Sequence, residues 1–383
     1  STLFPYTTLF RSYTGDYIEH IDDNKSNSKY YTFTPRPLIY GDIYKMDDEL
    51  SALLIEAHRN IGFLEGLFKY APNKDAFSEL MLLKECAYSL MIDYDSPTFQ
   101  DVLINRGSGK EDIVPITNLA LAYKTARNMA ISATSLSRLC GIALYGDNVD
   151  KTIGVRNRQT FLYSVRTNIK SYNPTAPAEV LPALADISAY LHNDQDTDPL
   201  IKTALVHYQF EIIHPFEQYN GIVGRITIPM ILHDITSETF SLICVSEYLY
   251  QNKNEYFDLL RTTQYSGGYI RWIKFLVKAI GETAKQSAES LIEYELTTAK
   301  DEKLLISTGK ISRSTSIVYE YFKRFPISNI SYASKKTGLS FNSIAKAIDL
   351  LQDQGIVVQM NSNERNRIWE YMSLKNCVVL ELR

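Results

Sequence analysis

The chain has 383 residues, 45% of them hydrophobic, which is enough for two or three domains with substantial cores. Forty basic against 44 acidic residues leave a net charge of −4, so the chain as a whole lacks the basic excess of a general polyanion binder. No apolar run reaches the roughly 18 residues of a membrane span, and Cys86, Cys140, Cys244 and Cys377 lack metal-site spacing, so a reduced, cytoplasmic protein is expected.

Residues 1–12 read as foreign to the rest of the chain, with the natural start taken to be missing, and they are set aside from the fold argument. They also lack the basic start and continuous apolar core of a signal peptide. Residues 30–40, rich in Tyr and Thr and carrying Pro35 and Pro37, read as an extended arm. After Asp47-Asp48, the residues Leu53, Leu54, Ala57, Ile61, Leu64 and Phe68 fall at helical spacing and predict a helix over 50–70. Pro72-Asn73 ends it, and a second helix runs over 75–92. Further helices are expected at 116–130, 133–145, 177–192, 199–213, 222–236, 253–263 and 269–296. Between them, 151–172 carries Val155, Thr160, Phe161, Tyr163 and Val165 and reads as a β-hairpin or flap.

The charged stretch 297–313 reads as a linker. Beyond it, helices over 315–324, 330–336 and 341–354 precede strands at 356–360 and 367–372, joined at Asn361-Ser362-Asn363. Three helices and a two-stranded wing describe a winged helix-turn-helix. The expected organisation is therefore an arm and helical region (13–108), a helical core (109–296), the linker, and a winged-helix module (314–383). Residues 305–383 hold 11 Lys/Arg against 6 Asp/Glu, a net of +5 that leaves −9 for the remainder.

One segment points to chemistry: His214-Pro215-Phe216-Glu217-Gln218-Tyr219-Asn220-Gly221-Ile222-Val223-Gly224-Arg225. Asp198-Pro199 is a strong helix start, and Pro215 leaves His214 at the far edge of that helix. A loop then leads through Asn220-Gly221 into a second helix. Such a loop aims main-chain N–H groups and a positive dipole end at one point, which suits an anion. A histidine beside it suits a general base, and Arg225, one turn further on, suits a phosphate. Spacing alone leaves two readings open: hydroxyl activation beside a phosphate cradle, or a structural helix-capping histidine and an ordinary Asn-Gly turn.

The segment resembles the signature of the Fic family, His-Pro-Phe-x-Asp/Glu-Gly-Asn-Gly-Arg-x-x-Arg, and matches it at His214, Pro215, Phe216, Asn220, Gly221 and Arg225. The lead-in 204–211 is also similar, and His207 within it reads as a core histidine. Flanking likenesses at Glu56-Ala57-His58-Arg59, Leu64-Glu65-Gly66 and Tyr172-Asn173-Pro174 extend the resemblance over roughly residues 40–383. It implies a mainly α Fic-fold core with a small β-hairpin flap, ATP as cofactor, and AMP transfer to a Ser, Thr or Tyr hydroxyl of a protein target. His214 is then the base. Nucleotide contacts fall to Asn220, Gly221, Gly224 and Arg225, with Tyr256 and Phe257 at the adenine.

Three positions depart from the signature. Gln218 replaces the acidic residue that holds Mg²⁺, Tyr219 replaces a glycine, and Ile222 replaces the first arginine. A neutral amide is a poor ligand for Mg²⁺, and losing that charge costs on the order of 3 kcal/mol, or ~100-fold in rate. The alternative is thus a pseudoenzyme that binds nucleotide and regulates through its winged helix. An inhibitory helix of the family is matched by Ser89 and Asp93, with Asp one methylene shorter than the usual Glu. For the winged helix, DNA is one expected partner, through Lys346 along its recognition helix and Arg365 and Arg367 in the wing. Protein docking and a homodimer are the others, since Asp349 and Asp353 lie beside Lys346.

Overall fold

A computed structural model describes residues 11–12, 14–22, 28–40, 43–110, 113–147, 152–162, 172–194, 196–236, 239, 241–362 and 366–379. Among these the fold is mainly α, with fifteen α-helices and two three-stranded antiparallel sheets. Strands β1 (Arg11–Ser12), β2 (Gly15–Asp22) and β3 (Ser28–Pro35) open the chain. Helices α1 (Asp48–Tyr70), α2 (Lys74–Asp93), α3 (Phe99–Ser108), α4 (Val114–Ala126) and α5 (Ala133–Tyr145) follow. Next come α6 (Val180–Asn193), α7 (Pro199–Ile213), α8 (Asn220–Thr236), α9 (Val245–Gln251), α10 (Lys253–Ser266) and α11 (Ile270–Ser307). The C-terminal part comprises α12 (Arg313–Arg324), β4 (Ile327–Asn329), α13 (Ile330–Thr337), α14 (Phe341–Asp353), β5 (Val358–Gln359), β6 (Ile368–Glu370) and α15 (Met372–Val379).

Local chemistry sets many of the boundaries. Thr98 and Asp101 form a reciprocal capping box at α3, and Ser132 with Ser135 does the same at α5. Asn329 and Ser340 cap α13 and α14. Gly109, Gly267 and Gly338 take the left-handed backbone that closes α3, α10 and α13.

The chain divides into two compact units that do not follow sequence order. The first gathers residues 1–57, 121–237 and 251–281, and the second 58–120, 238–250 and 282–383. In the first unit α7 is the central helix: thirteen of its fifteen residues are buried, and the Trp272 indole donates to the Ala204 carbonyl at 2.7 Å. The β2–β3 hairpin, in register Tyr17 to Phe33, lies against α7, reaches α10 through Tyr17 and touches the segment before α6: Phe33 N–H donates to the Pro174 carbonyl at 3.4 Å. In the second unit a buried ion pair, Lys84 to Glu247 at 2.7 Å, ties α2 to α9. Glu85 beside it accepts from the Ser246 N–H at 2.9 Å, so an acid sits at the positive end of α9.

Several expectations need correction. The strand-forming segment at the start is longer than an arm over 30–40, because residues 15–22 pair with 28–35 along their whole length. No strand occurs at 152–162, where Arg156 turns inward instead. The helical core does not end at 296, because α11 continues to Ser307. The polar stretch read as a linker is a solvated helix face whose other side, Thr298, Asp301 and Leu305, is buried. Residues 314–383 pack in the same unit as α2 and α3, with Ser328 Oγ donating to the Gly107 carbonyl at 2.7 Å. The three expected helices are followed by a fourth, α15, and accompany a sheet of order β4-β6-β5, one strand more than the expected wing. Residues 1–10, Lys151, the 163–171 part of the expected flap and Arg365 lie outside the described residues.

Candidate functional site

The site is built at the end of α7. Asp198 starts that helix by accepting from Leu200 N–H at 2.8 Å, with Pro199 in its first turn. At the other end His214 takes left-handed φ and ψ of 51° and 62°, and its N–H donates to Phe210 at 3.0 Å. Glycine or asparagine is the usual occupant of such a place, so the surroundings must hold a histidine there.

They do so through Arg156, which is 2% exposed. Its Nε donates to the His214 carbonyl at 2.7 Å, and its Nη2 to the Ile213 carbonyl at 3.1 Å and to that of Thr175. Nη1 donates to Arg158 at 3.0 Å, and the main-chain N–H of Arg156 donates to Pro215 at 2.8 Å. A helix C-terminus leaves carbonyls without intrahelical donors, and here one guanidinium serves them while placing positive charge at the negative dipole end. Burial pulls the Arg156 guanidinium down to about 10, still charged at neutral pH.

Past Pro215 the loop closes on itself. The Phe216 N–H donates to Asn220 Oδ1 at 2.7 Å, and Asn220 Nδ2 returns a bond to the Phe216 carbonyl at 2.8 Å. Asn220 is thus a buried brace that fixes the loop entering α8. Tyr219 takes φ 65°, the left-handed backbone for which glycine is suited. Its phenol is half-buried and its pKa is raised, by burial first and then by nearby Cys140. Cys140, under the loop with Sγ 3.9 Å from the Gln218 carbonyl, is itself pushed up to about 12 by burial. Glu217 and Gln218 are exposed and Gly221 is half-buried. Ile222 is fully buried and belongs to the core.

The ring of half-exposed His214 lies edge-on to Tyr172, with centroids 6.4 Å apart. Gln264 fixes the residue after Tyr172 by accepting from Asn173 N–H at 3.0 Å and donating to its carbonyl at 2.9 Å. Tyr17 of the opening hairpin donates to the same Gln264 oxygen at 3.2 Å.

The expected site residues divide. His214, Gln218, Asn220, Gly221, Gly224 and Arg225 lie on one turn and the helix after it. Gly224, however, serves packing: a Cβ there would fall 2.0 Å from a Glu211 carboxylate oxygen, so α7 and α8 approach closely at that point. Arg225 is 1% exposed, and its charge, after burial, helps push the His207 imidazole down to about 3. His207 is the expected core histidine, held by the Gly224 carbonyl at 3.0 Å and the Tyr256 hydroxyl at 3.1 Å. Tyr256 is fully buried in that network, so its hydroxyl and ring serve the core, while Phe257 is half-exposed. Ser89 is buried within α2 and Asp93 is exposed at its end, both in the second unit.

Sequence reasoning missed Arg156. Arg156, Arg158 and Arg166 share one stretch with β-branched and aromatic residues, and nothing local marks Arg156 as the one that turns inward. Gln264, which the family resemblance puts with Tyr256 and Phe257 at the adenine, is the clasp on Asn173, a role with no local sign in the sequence.

The donor set does not fit a protein-bound Mg²⁺. Gln218 offers a neutral amide where a hard cation prefers carboxylate.

A helix ending at a histidine, an Asn-braced loop and a new helix led by Asn-Gly is the geometry of this segment, and residues 144–232 match the model of the Fic/DOC family. Residues 144–232 are a Fic/DOC family domain. Protein adenylyltransferase fic-1 of Caenorhabditis briggsae is 33% identical to it over 88 residues, 22% of this chain and 16% of that protein. A probable protein adenylyltransferase of Aquifex aeolicus is 33% identical over 87 residues, 23% of this chain and 25% of that protein. The chain therefore spans a quarter or less of the curated relatives it matches. Among solved structures, a Fic family protein from Desulfovibrio desulfuricans aligns with a TM-score of 0.55 at 14% identity, over 87% of this chain and 98% of that one. A Fic domain containing signaling protein from Bacteroides thetaiotaomicron aligns with a TM-score of 0.50 at 16% identity, over 62% and 97%. At these identities the likeness establishes the fold of the Fic domain and its surroundings. No helix of the described residues is long and apolar enough to cross a membrane.

Proposed function

We propose that the chain is a Fic-type protein adenylyltransferase whose turnover is slowed by its altered loop. The observation that carries this reading is the half-exposed His214 in a left-handed cap, one braced loop away from the first-turn amides of α8. In the proposed reaction the His214 imidazole takes the proton from a Ser, Thr or Tyr hydroxyl of a protein target. The oxygen bonds to the α-phosphorus of ATP, the bond from that phosphorus to the bridging oxygen breaks, and pyrophosphate leaves. The amides of the loop and of the α8 N-terminus stabilise the phosphate charge. Asn220 acts by holding the loop shape, and Arg225 supplies positive charge one turn into α8.

A second reading has its own support. Gln218 brings no negative charge, Tyr219 occupies a glycine conformation, and Ile222 is sealed in the core where the family signature has an arginine. These changes favour a nucleotide-binding protein with little turnover, regulating through residues 314–383, where Lys346, Arg367, Asp349 and Asp353 are all exposed. If that module binds DNA, affinity falls steeply with added salt, whereas a flat response points to protein docking or to a second copy of the chain.

Incubating the purified chain with α-labelled ATP and a divalent cation separates the readings. The transferase reading expects self-labelling that disappears in His214→Ala. Calorimetric binding of ATP with no label, even after Gln218→Asp, favours the second reading. Absence of both label and binding rejects both.

A further inference from the structure

The strongest unassigned feature is the buried charge under the His214 turn. Arg156 donates to main-chain carbonyls from three stretches of chain: Ile213 and His214 at the end of α7, Thr175 just before α6, and Arg158 in its own segment. Its main-chain N–H adds a fifth tie, to the Pro215 carbonyl. Thr175 is itself fixed on both sides, its N–H donating to Ile212 at 3.3 Å and its hydroxyl to Phe33 at 3.0 Å. Tyr172, which meets the His214 ring edge-on, lies three residues before Thr175.

We infer that Arg156 is the positioning residue for His214, holding its backbone in the left-handed cap and, through Thr175, setting the Tyr172 ring against the imidazole. Several observations favour this over a merely filled cavity. The carbonyls lie in different directions from the side chain, and a planar fork reaches them together whereas a single ammonium does not. A left-handed cap at a non-glycine residue persists only where its neighbours over-determine it, and Arg156 bonds to both peptide carbonyls flanking the His214 Cα–N unit, those of Ile213 and His214. The hydrogen-bonded chain also ends at the one half-exposed histidine of α7 and its cap. The buried histidine two turns earlier, His207, has no bond to Arg156 and is held by Gly224 and Tyr256 instead. The consequence for turnover rests on the reading of His214 as a base, but the positioning itself does not.

The test uses the full chain with isotope-labelled histidine. Six histidines give six ring resonances, and that of His214 is assigned by its loss in His214→Asn. In Arg156→Lys and Arg156→Met, cooperative unfolding is expected to persist. The His214 resonance is expected to move while that of His207 stays in place. If the chain labels itself, kcat falls roughly 10–100-fold with a smaller change in KM for ATP, as a misplaced reacting group requires. The inference is overturned if the His214 resonance in Arg156→Lys coincides with the parent, if all six move together, or if that variant no longer unfolds cooperatively. A chain that never labels leaves the resonance measurement intact, so failure of the transferase reading and failure of this one are told apart.

Discussion

His207 and His214 lie two turns apart on one helix and its cap, yet their surroundings give them opposite characters. His207 is sealed between Tyr256 and Trp272, with ring centroids at 6.1 and 5.9 Å, and burial with the Arg225 charge holds it neutral. The unfolded chain takes up a proton on this residue as pH falls through about 6.5, whereas the folded chain does not until about 3. Its contribution is therefore complete above the unfolded value and declines by roughly 1.4 kcal/mol per pH unit below it. In urea titrations His207→Gln is expected to be less stable at pH 7 but to lose about 2–3 kcal/mol less than the parent between pH 6.5 and 4.5. Equal losses would refute the assignment. The core role of His207 was legible from its place inside the helix, two turns before His214. That of Tyr256 was not, since it depends on a partner 49 residues away.

At the scale of elements, close approach separates glycines that sequence alone treats alike. Gly107 ends α3 against β4, and a Cβ there would meet the Ile327 carbonyl oxygen at 1.6 Å and the Ser328 Cα at 3.0 Å. Those are backbone atoms, so strand and helix must part. Gly62 lies mid-way along α1 with nothing within 4 Å of an added Cβ. Gly107→Ala is expected to lose about 3 kcal/mol or more, and Gly62→Ala to gain about 0.5–1 kcal/mol from helix propensity. Thermal unfolding that moved both variants in the same direction would contradict this packing. The extension of α11 through 297–307 has a similar cause. A polar run passes for a linker until Asp301 is seen to accept from the Tyr371 hydroxyl at 2.5 Å, and the Thr298 carbonyl from that of Tyr319 at 3.1 Å.

At the scale of the molecule, Cys86, Cys140, Cys244 and Cys377 are all buried and unpaired by disulfides. Burial also raises Cys140, Cys244 and Cys377, and the thiol form is unreactive. A thiol reagent is expected to titrate none of the four rapidly in the native chain and all four in denaturant, and fast native reaction at any of them would count against these cores. The mainly helical character, most helix positions and the His214–Arg225 segment could be read along the chain, because apolar spacing, caps and a contiguous motif are local properties. Folding had to settle that Arg156 grips carbonyls up to 58 residues away, that Gly224 makes room for Glu211, and that residues 15–22 pair with 28–35 and reach α10 through Tyr17. Those outcomes turn on which buried polar groups meet across the fold, and burial of a polar group is favourable only when a distant partner satisfies it.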